Sequence, residues 1–281
     1  MKAFEPNFLK LYPKRSKTAH KFEVGKVGIL AGSEQLFGAA ILTAYAALRS
    51  GAGVVYVYTA EKIAHHIVAL HPELIVCPLP CENGIVSKSS LPLLSNFLQE
   101  HRLDALAIGP GLGKSDSLAE LLINLVKKLN DYKIPTLIDA DGLNNLDMVS
   151  TEFNAGQYVF TPHEGEFIRN FCVDLIDNRL EAASNISSKL KQVLVLKGYQ
   201  TIVSNQSFWY QNKTGNSGMA TAGSGDTLTG FMVGFMAQKL SLFDAALLAV
   251  YLHGLSGDEA FKEKGNGLIA SDIIEYFSVP S

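Results

Sequence analysis

Short apolar runs rich in β-branched residues alternate with longer stretches of helical period through most of this chain, which is the pattern of parallel strands joined by crossover helices. Candidate strands lie at 27–30, 54–58, 105–108, 136–138, 158–160 and 193–196. Nearly all their residues are apolar, as in a sheet covered on both faces. Two further candidates, 201–203 and 208–210, flank the polar run Ser204, Asn205, Gln206, Ser207 and read as an antiparallel hairpin. Candidate helices span 39–50, 91–100, 117–129, 179–190, 227–238 and 243–261, and Ala40, Ala44, Ala47 and Leu48 give the first a small-residue face for close packing. No repeat, low-complexity tract or long linker divides the chain. The expectation is one α/β domain over residues 1–281: a central, mostly parallel sheet flanked by helices on both faces, with an antiparallel hairpin towards the C-terminal end.

At 281 residues and 47% hydrophobic, the chain is long enough to bury a full core. A net charge of -3 gives no electrostatic reason for nucleic acid or an anionic membrane as partner, which favours a small molecule. Cys77, Cys81 and Cys172 are too few for a disulfide framework and poorly spaced for zinc. Lys2, Lys10, Lys14, Arg15 and Lys17 come without an apolar signal core, so the cytoplasm is the expected location.

In such sheets ligands bind where strand ends and helix N-termini share one edge, and five loops fall there. The run from Ala31 to Ala40 carries Gly32, Ser33, Gly38 and Ala39, and reads either as a tight turn or as backbone that a flat ligand can approach. Gly109, Pro110, Gly111, Leu112 and Gly113 offer amides to a ligand edge or phosphate, without the spacing of a Walker loop. Asp139 and Asp141 end one strand; His163, Glu164 and Glu166 end the next. They are helix caps and first-turn acids, or carboxylates for a Mg²⁺ that keeps most of its waters. The most specific loop runs from Gly215 to Asp226, with four glycines in eleven residues before an apolar helix. So many glycines are entropically unfavourable unless their backbone freedom is used, here to turn amides towards an anion. Asp226 is then out of place beside phosphate unless it handles a proton. Lys197, Gly198, Tyr199, Gln200 and Thr201 form a turn that suits a nucleotide or merely solvent, and His253, Gly254 and Asp258 fit helix packing or ligand contact.

The ordered series GSEQLFGAA, GPGLG, DADGLN, TPHEGEF, KGYQT, GNSGMATAGSGD and HGLSGD resembles the NAD(P)H-hydrate dehydratases of the ribokinase-like superfamily, over about residues 25–277. Ala222 stands where members often carry another glycine. The resemblance implies an enzyme that returns hydrated NADH or NADPH to NAD(P)H, with ADP or ATP as phosphoryl donor and Mg²⁺ as cofactor. It implies substrate contacts at Ala39 or Ala40, Gly111 or Gly113, His163 and Asp226. Adenine nucleotide would meet Lys197, Gly198, Tyr199, Gln200, Thr201, Asn216 and Gly225. Asp226 would be the catalytic base and Glu166 would hold Mg²⁺ through water. A homotetramer, and an NAD(P)H-hydrate epimerase on a separate chain, complete the expectation. The rivals are a kinase of the same superfamily acting on a vitamin-precursor alcohol, and a nucleotide-binding regulator without turnover.

Overall fold

The structure, a computed structural model, describes residues 1–173 and 178–278. Its strands are β1 (Lys2–Ala3), β2 (Lys26–Leu30), β3 (Val54–Ala60), β4 (Ile75–Leu79), β5 (Cys81–Glu82), β6 (Ile85–Val86), β7 (Ala105–Ile108), β8 (Thr136–Ile138), β9 (Tyr158–Phe160), β10 (Val193–Leu196), β11 (Ile202–Ser204) and β12 (Phe208–Gln211). The helices are α1 (Phe8–Leu11), α2 (Lys21–Val24), α3 (Phe37–Arg49), α4 (Ala64–Leu70), α5 (Leu91–His101), α6 (Asp116–Tyr132), α7 (Asp141–Asn144), α8 (Glu164–Phe171), α9 (Arg179–Leu190), α10 (Ser224–Ala237), α11 (Leu242–Lys264) and α12 (Ala270–Glu275).

Ten strands form one sheet in the order β1-β12-β11-β10-β9-β8-β7-β2-β3-β4, and β5 and β6 make a small separate ribbon. From β4 to β10 every neighbouring pair is parallel, whereas β10, β11 and β12 are antiparallel. The hairpin therefore exists, at residues 202–211, with three helices still to follow it. Every residue of β7 and β10 is buried. Successive side chains on a strand point to opposite faces, so both faces there are covered by other elements.

The chain leaves β2 towards β3 and β4 and later returns to β7 on the other side of β2. This reversal of winding opens a crevice beyond the strand ends, between the loops that follow β2 and β7.

The helices form for local reasons. In α6, Ser115 accepts the Leu118 amide, and Leu118, Leu121, Leu122, Leu125, Val126 and Leu129 recur at helical spacing as its buried face. The central helix α10 is buried from Thr227 to Ala237. Gly230 and Gly234, one turn apart, let α3 approach: a Cβ on Gly230 would stand 2.2 Å from the Thr43 carbonyl oxygen, and one on Gly234 would stand 1.9 Å from Ser50 Oγ. The face of α3 that meets these glycines is Thr43, Ala46, Ala47 and Ser50, so of the small-residue face expected from Ala40, Ala44, Ala47 and Leu48 it shares Ala47 alone.

Strand β4 escaped the sequence pattern because Pro78 interrupts it. Proline lacks the amide that an inner strand needs, and β4 is indeed an edge. Helix α3 begins two residues before the expected start, taking Phe37 and Gly38 out of the loop.

Candidate active site

The carboxyl ends of β8, β9 and β10 carry Asp139, the Thr161–Glu166 turn and Lys197 side by side, because these strands are hydrogen-bonded neighbours and His163 and Lys197 form a further parallel bridge. Asp139 is 1% exposed. Its Oδ1 lies 2.6 Å from Lys197 Nζ, and its Oδ2 accepts the Thr229 hydroxyl at 2.7 Å. Burial works against the Lys197 charge, but Asp139, Glu166 and Asp226 outweigh it and raise the ammonium pKa above its ordinary value. Lys197 is therefore a fixed cation at this edge.

Helix α10 starts here. Its N-cap is Gly223, at φ +89, and no side chain caps the helix. The first-turn amides of a helix have no partners within it, and the macrodipole adds positive potential. Gly225 is part of that turn, and a Cβ there would stand 3.5 Å from Lys197 Nζ. Any larger side chain would push between the ammonium and the helix end. Asp226, also in the first turn, has its pKa raised to about 7 by burial and by the neighbouring Asp139 and Asp141 carboxylates, against the opposing pull of Lys197. A carboxyl that titrates near neutrality beside a fixed cation and uncapped amides is equipped to take a proton from a hydroxyl.

The glycine-rich loop before α10 is tied to α11. Asp258 accepts the Gly215 amide at 2.9 Å through Oδ2 and the Asn216 Nδ2 at 2.9 Å through Oδ1. Asn216 Nδ2 also donates to the Gly257 carbonyl, and its Oδ1 accepts the Gly218 amide. Asn216 is thus committed to closing the loop. His253 is buried, with Nε2 3.0 Å from both Thr227 Oγ1 and the Ser224 carbonyl. Burial lowers its pKa to about 4, with the Ser224 hydrogen bond opposing and Lys197 assisting, so the ring is neutral and braces the start of α10.

The residues expected on the substrate side differ in exposure and packing. Ala40 is fully buried, whereas Ala39 is half-buried at the crevice. Gly111, at φ +63, is buried, and a Cβ there would meet the Leu36 carbonyl oxygen at 2.4 Å and Ala39 at 2.8 Å. Gly113, at φ +81, is more open; its amide donates to Asp141 Oδ2 at 2.8 Å and its carbonyl accepts Asn145 Nδ2 at 2.8 Å. Gly109 and Gly142 let the two loops interlock, since a Cβ on Gly109 would lie 1.8 Å from the Asp139 carbonyl oxygen. Between the two aspartates Ala140 takes φ +48, an unfavourable angle for a residue with a side chain.

His163 is exposed and caps α8 reciprocally with Glu166: Glu166 Oε2 accepts the His163 amide at 2.9 Å, and His163 Nδ1 accepts the Glu166 amide at 3.2 Å. In the next turn Tyr199 is 85% exposed, its carbonyl accepts Arg179 Nη1 at 2.6 Å, and Arg179 pairs with Glu164 at 2.9 Å. Gln200 Oε1 accepts Gln211 Nε2 and Thr201 Oγ1 donates to the Gly198 carbonyl. A cleft of about 370 Å³ lined by Phe8, Tyr12, Leu248 and Tyr251 lies between the N-terminal segment and α11 and shares no residue with this edge. Nothing in the sequence singles out Thr229, and Asp258 is marked there by the HGLSGD segment, which fits packing or ligand contact.

The fold and this aspartate-bearing, glycine-rich helix start define the ribokinase-like class. The chain belongs to the NAD(P)H-hydrate dehydratase family, whose family pattern matches residues 27–278. It is 37% identical over 265 residues to the bifunctional NAD(P)H-hydrate repair enzyme Nnr of Dictyoglomus turgidum, covering 92% of this chain and 51% of that protein. The corresponding Moorella thermoacetica enzyme is 36% identical over 276 residues, covering 94% and 50%. The chain therefore spans about half the length of these curated relatives. Among solved structures, a ribokinase-like superfamily protein from Enterococcus faecalis superposes with a TM-score of 0.86 at 28% identity, covering 98% of this chain and 93% of that one. The ADP/ATP-dependent NAD(P)H-hydrate dehydratase of Bacillus subtilis, co-crystallized with ATP/Mg²⁺, gives 0.82 at 29% identity, covering 96% and 95%.

Proposed function

We propose that this chain returns hydrated NADH or NADPH to the intact cofactor by phosphorylating the ring hydroxyl from ADP or ATP and eliminating phosphate. One observation carries the reading: Asp226, titrating near neutrality, shares the uncapped first turn of α10 with the Lys197 ammonium. A ring hydroxyl is a poor leaving group, and phosphoryl transfer turns it into a good one. The Asp226 carboxylate accepts the hydroxyl proton as the oxygen bonds to the terminal phosphorus. First-turn amides and Lys197 neutralise the charge that gathers on the transferring oxygens. The ring-nitrogen lone pair then expels the phosphate ester and the adjacent carbon gives up a proton, so AMP (or ADP) and inorganic phosphate leave with NAD(P)H.

The turn from Lys197 to Thr201 supports the nucleotide, with the exposed Tyr199 ring offered to adenine, while Ala39, Gly113 and His163 border the hydrated ring. Mg²⁺ fits as an ion carried by phosphates and water: among the described residues no group of three His, Cys, Asp or Glu could hold a metal, while Glu166, with Oε2 on the His163 amide and Oε1 3.5 Å from His163 Nε2, would meet the ion through a water at Oε1. Such an ion meets the protein through one or two carboxylates and supplies charge neutralisation on the phosphates. Operation of residues 1–281 as a single domain, a homotetramer, an epimerase partner and a cytoplasmic location belong to the same proposal; a monomer mass in light scattering refutes the tetramer. The functional test is absorbance at 340 nm after mixing the protein with hydrated NADH, Mg²⁺ and ADP or ATP. Recovery is expected, whereas a phosphorylated product that accumulates without recovery would establish a kinase.

A further inference from the structure

Asp139 is almost fully buried, yet the proposed chemistry gives it no step. Both of its oxygens are committed, one to Lys197 at 2.6 Å and the other to Thr229 at 2.7 Å. Its backbone is equally fixed: the amide donates to the Ile108 carbonyl at 3.0 Å, the carbonyl accepts the Gly142 amide at 2.8 Å, and Gly109 packs on that carbonyl. Thr229 is 1% exposed on α10 and lies three residues after Asp226, on the same face of the helix.

A lysine side chain is a flexible four-carbon stem, and without an anchor its ammonium samples many positions. Here the anchor is rigid and the ammonium is held beside Gly225, with the Lys197 amide fixed to the Pro162 carbonyl at 2.9 Å at the other end. The adenosine side of the turn, at Tyr199 and Gln200, extends away on the exposed surface. We propose that Thr229 and Asp139 are positioning residues that hold Lys197 over the first turn of α10, so that its charge meets the terminal phosphoryl group and not the nucleoside. This deepens the repair reading and rests on it for kinetics alone.

The test compares the wild type with Thr229→Val, which keeps the shape and removes the hydroxyl, and Thr229→Ser, which keeps the hydroxyl. Calorimetry gives the affinities for AMP and ADP. The preference for ADP over AMP should fall at least threefold in T229V and stay within twofold of wild type in T229S. In the 340 nm assay kcat of T229V should fall at least tenfold with KM for hydrated NADH within twofold, and T229S should restore most of it. An unchanged ADP preference in T229V, or equal losses in both variants, overturns the proposal by assigning Thr229 to packing alone. If the wild type restores no NADH, the repair reading fails while the nucleotide preference still decides the positioning. Should T229V fail to fold, Lys197→Met takes its place in the binding comparison, and an unchanged preference there overturns the proposal equally.

Discussion

Replacing Asp226 with Asn should slow turnover severely and make the protein more stable at neutral and alkaline pH. The carboxyl pKa is raised from 3.8 to about 7, chiefly by burial and then by Asp139 and Asp141. In the unfolded chain the group ionises near 3.8, so between that pH and 7 folding must take up a proton. The resulting penalty is absent below pH 3.8, grows as pH rises through that window, and is constant above it. Three units at about 1.36 kcal/mol each set a ceiling of about 4 kcal/mol, and partial solvent access brings the expectation to roughly 2 kcal/mol. Asparagine has the same shape and no charge to desolvate. With about 2–4 °C per kcal/mol for a chain of this size, Tm should rise roughly 4–8 °C at pH 8 and little at pH 4.5. Loss of a general base should lower kcat by about 10²–10⁴. Scanning calorimetry at the two pH values, with the 340 nm assay alongside, checks both. A variant less stable than wild type at pH 8, or a gain independent of pH, would refute the reasoning.

The acid limb of the wild-type kcat profile should fall near pH 7, since Asp226 must be ionised to act; in Lys197→Met, which removes the cation that lowers this pKa, the residual activity should titrate at higher pH, and in Asp139→Asn at lower pH. Asp258→Ala should free Gly215 and Asn216 and raise KM for nucleotide severalfold while leaving Tm within a few degrees, measured by initial rates and melting. Gly230→Ala should destabilise by about 1–3 kcal/mol, because its Cβ would meet the Thr43 carbonyl across a backbone contact that has no room to give; denaturant unfolding with an unchanged midpoint would contradict the close packing of α3 on α10.

Much of the sheet was legible because buried parallel strands are apolar throughout: β7 (Ala105–Ile108) and β10 (Val193–Leu196) lie where their apolar runs stand. Strand β1, two residues long, has no periodicity to read, and α4 is short and lacks a side-chain cap. At the site the glycine-rich approach to Asp226 was visible because glycine at such density has a backbone meaning. The environment of Lys197 was not. Its turn reads as a nucleotide loop, but the side chain reaches Asp139, 58 residues away in sequence, and Thr229 reaches the same carboxylate from 90 residues away. Spacing along the chain carries no trace of such pairings, which arise only when β8, β10 and α10 converge at one edge. Asn216 and Asp258 show the same limit: their mutual hydrogen bond ties the loop to α11, and nothing in the spacing of the two residues announces it.

The most direct test of the central claim follows the substrate's hydroxyl oxygen. Hydrated NADH prepared in ¹⁸O-enriched water carries the label on the ring, and the protein is given ADP or ATP and Mg²⁺ while absorbance at 340 nm is followed and the released phosphate is analysed by mass. Phosphorylation before elimination predicts one labelled oxygen in each phosphate for each NADH restored. Recovered absorbance with the label in water and unlabelled phosphate would contradict it, because the hydroxyl would then have left without ever being bonded to phosphorus.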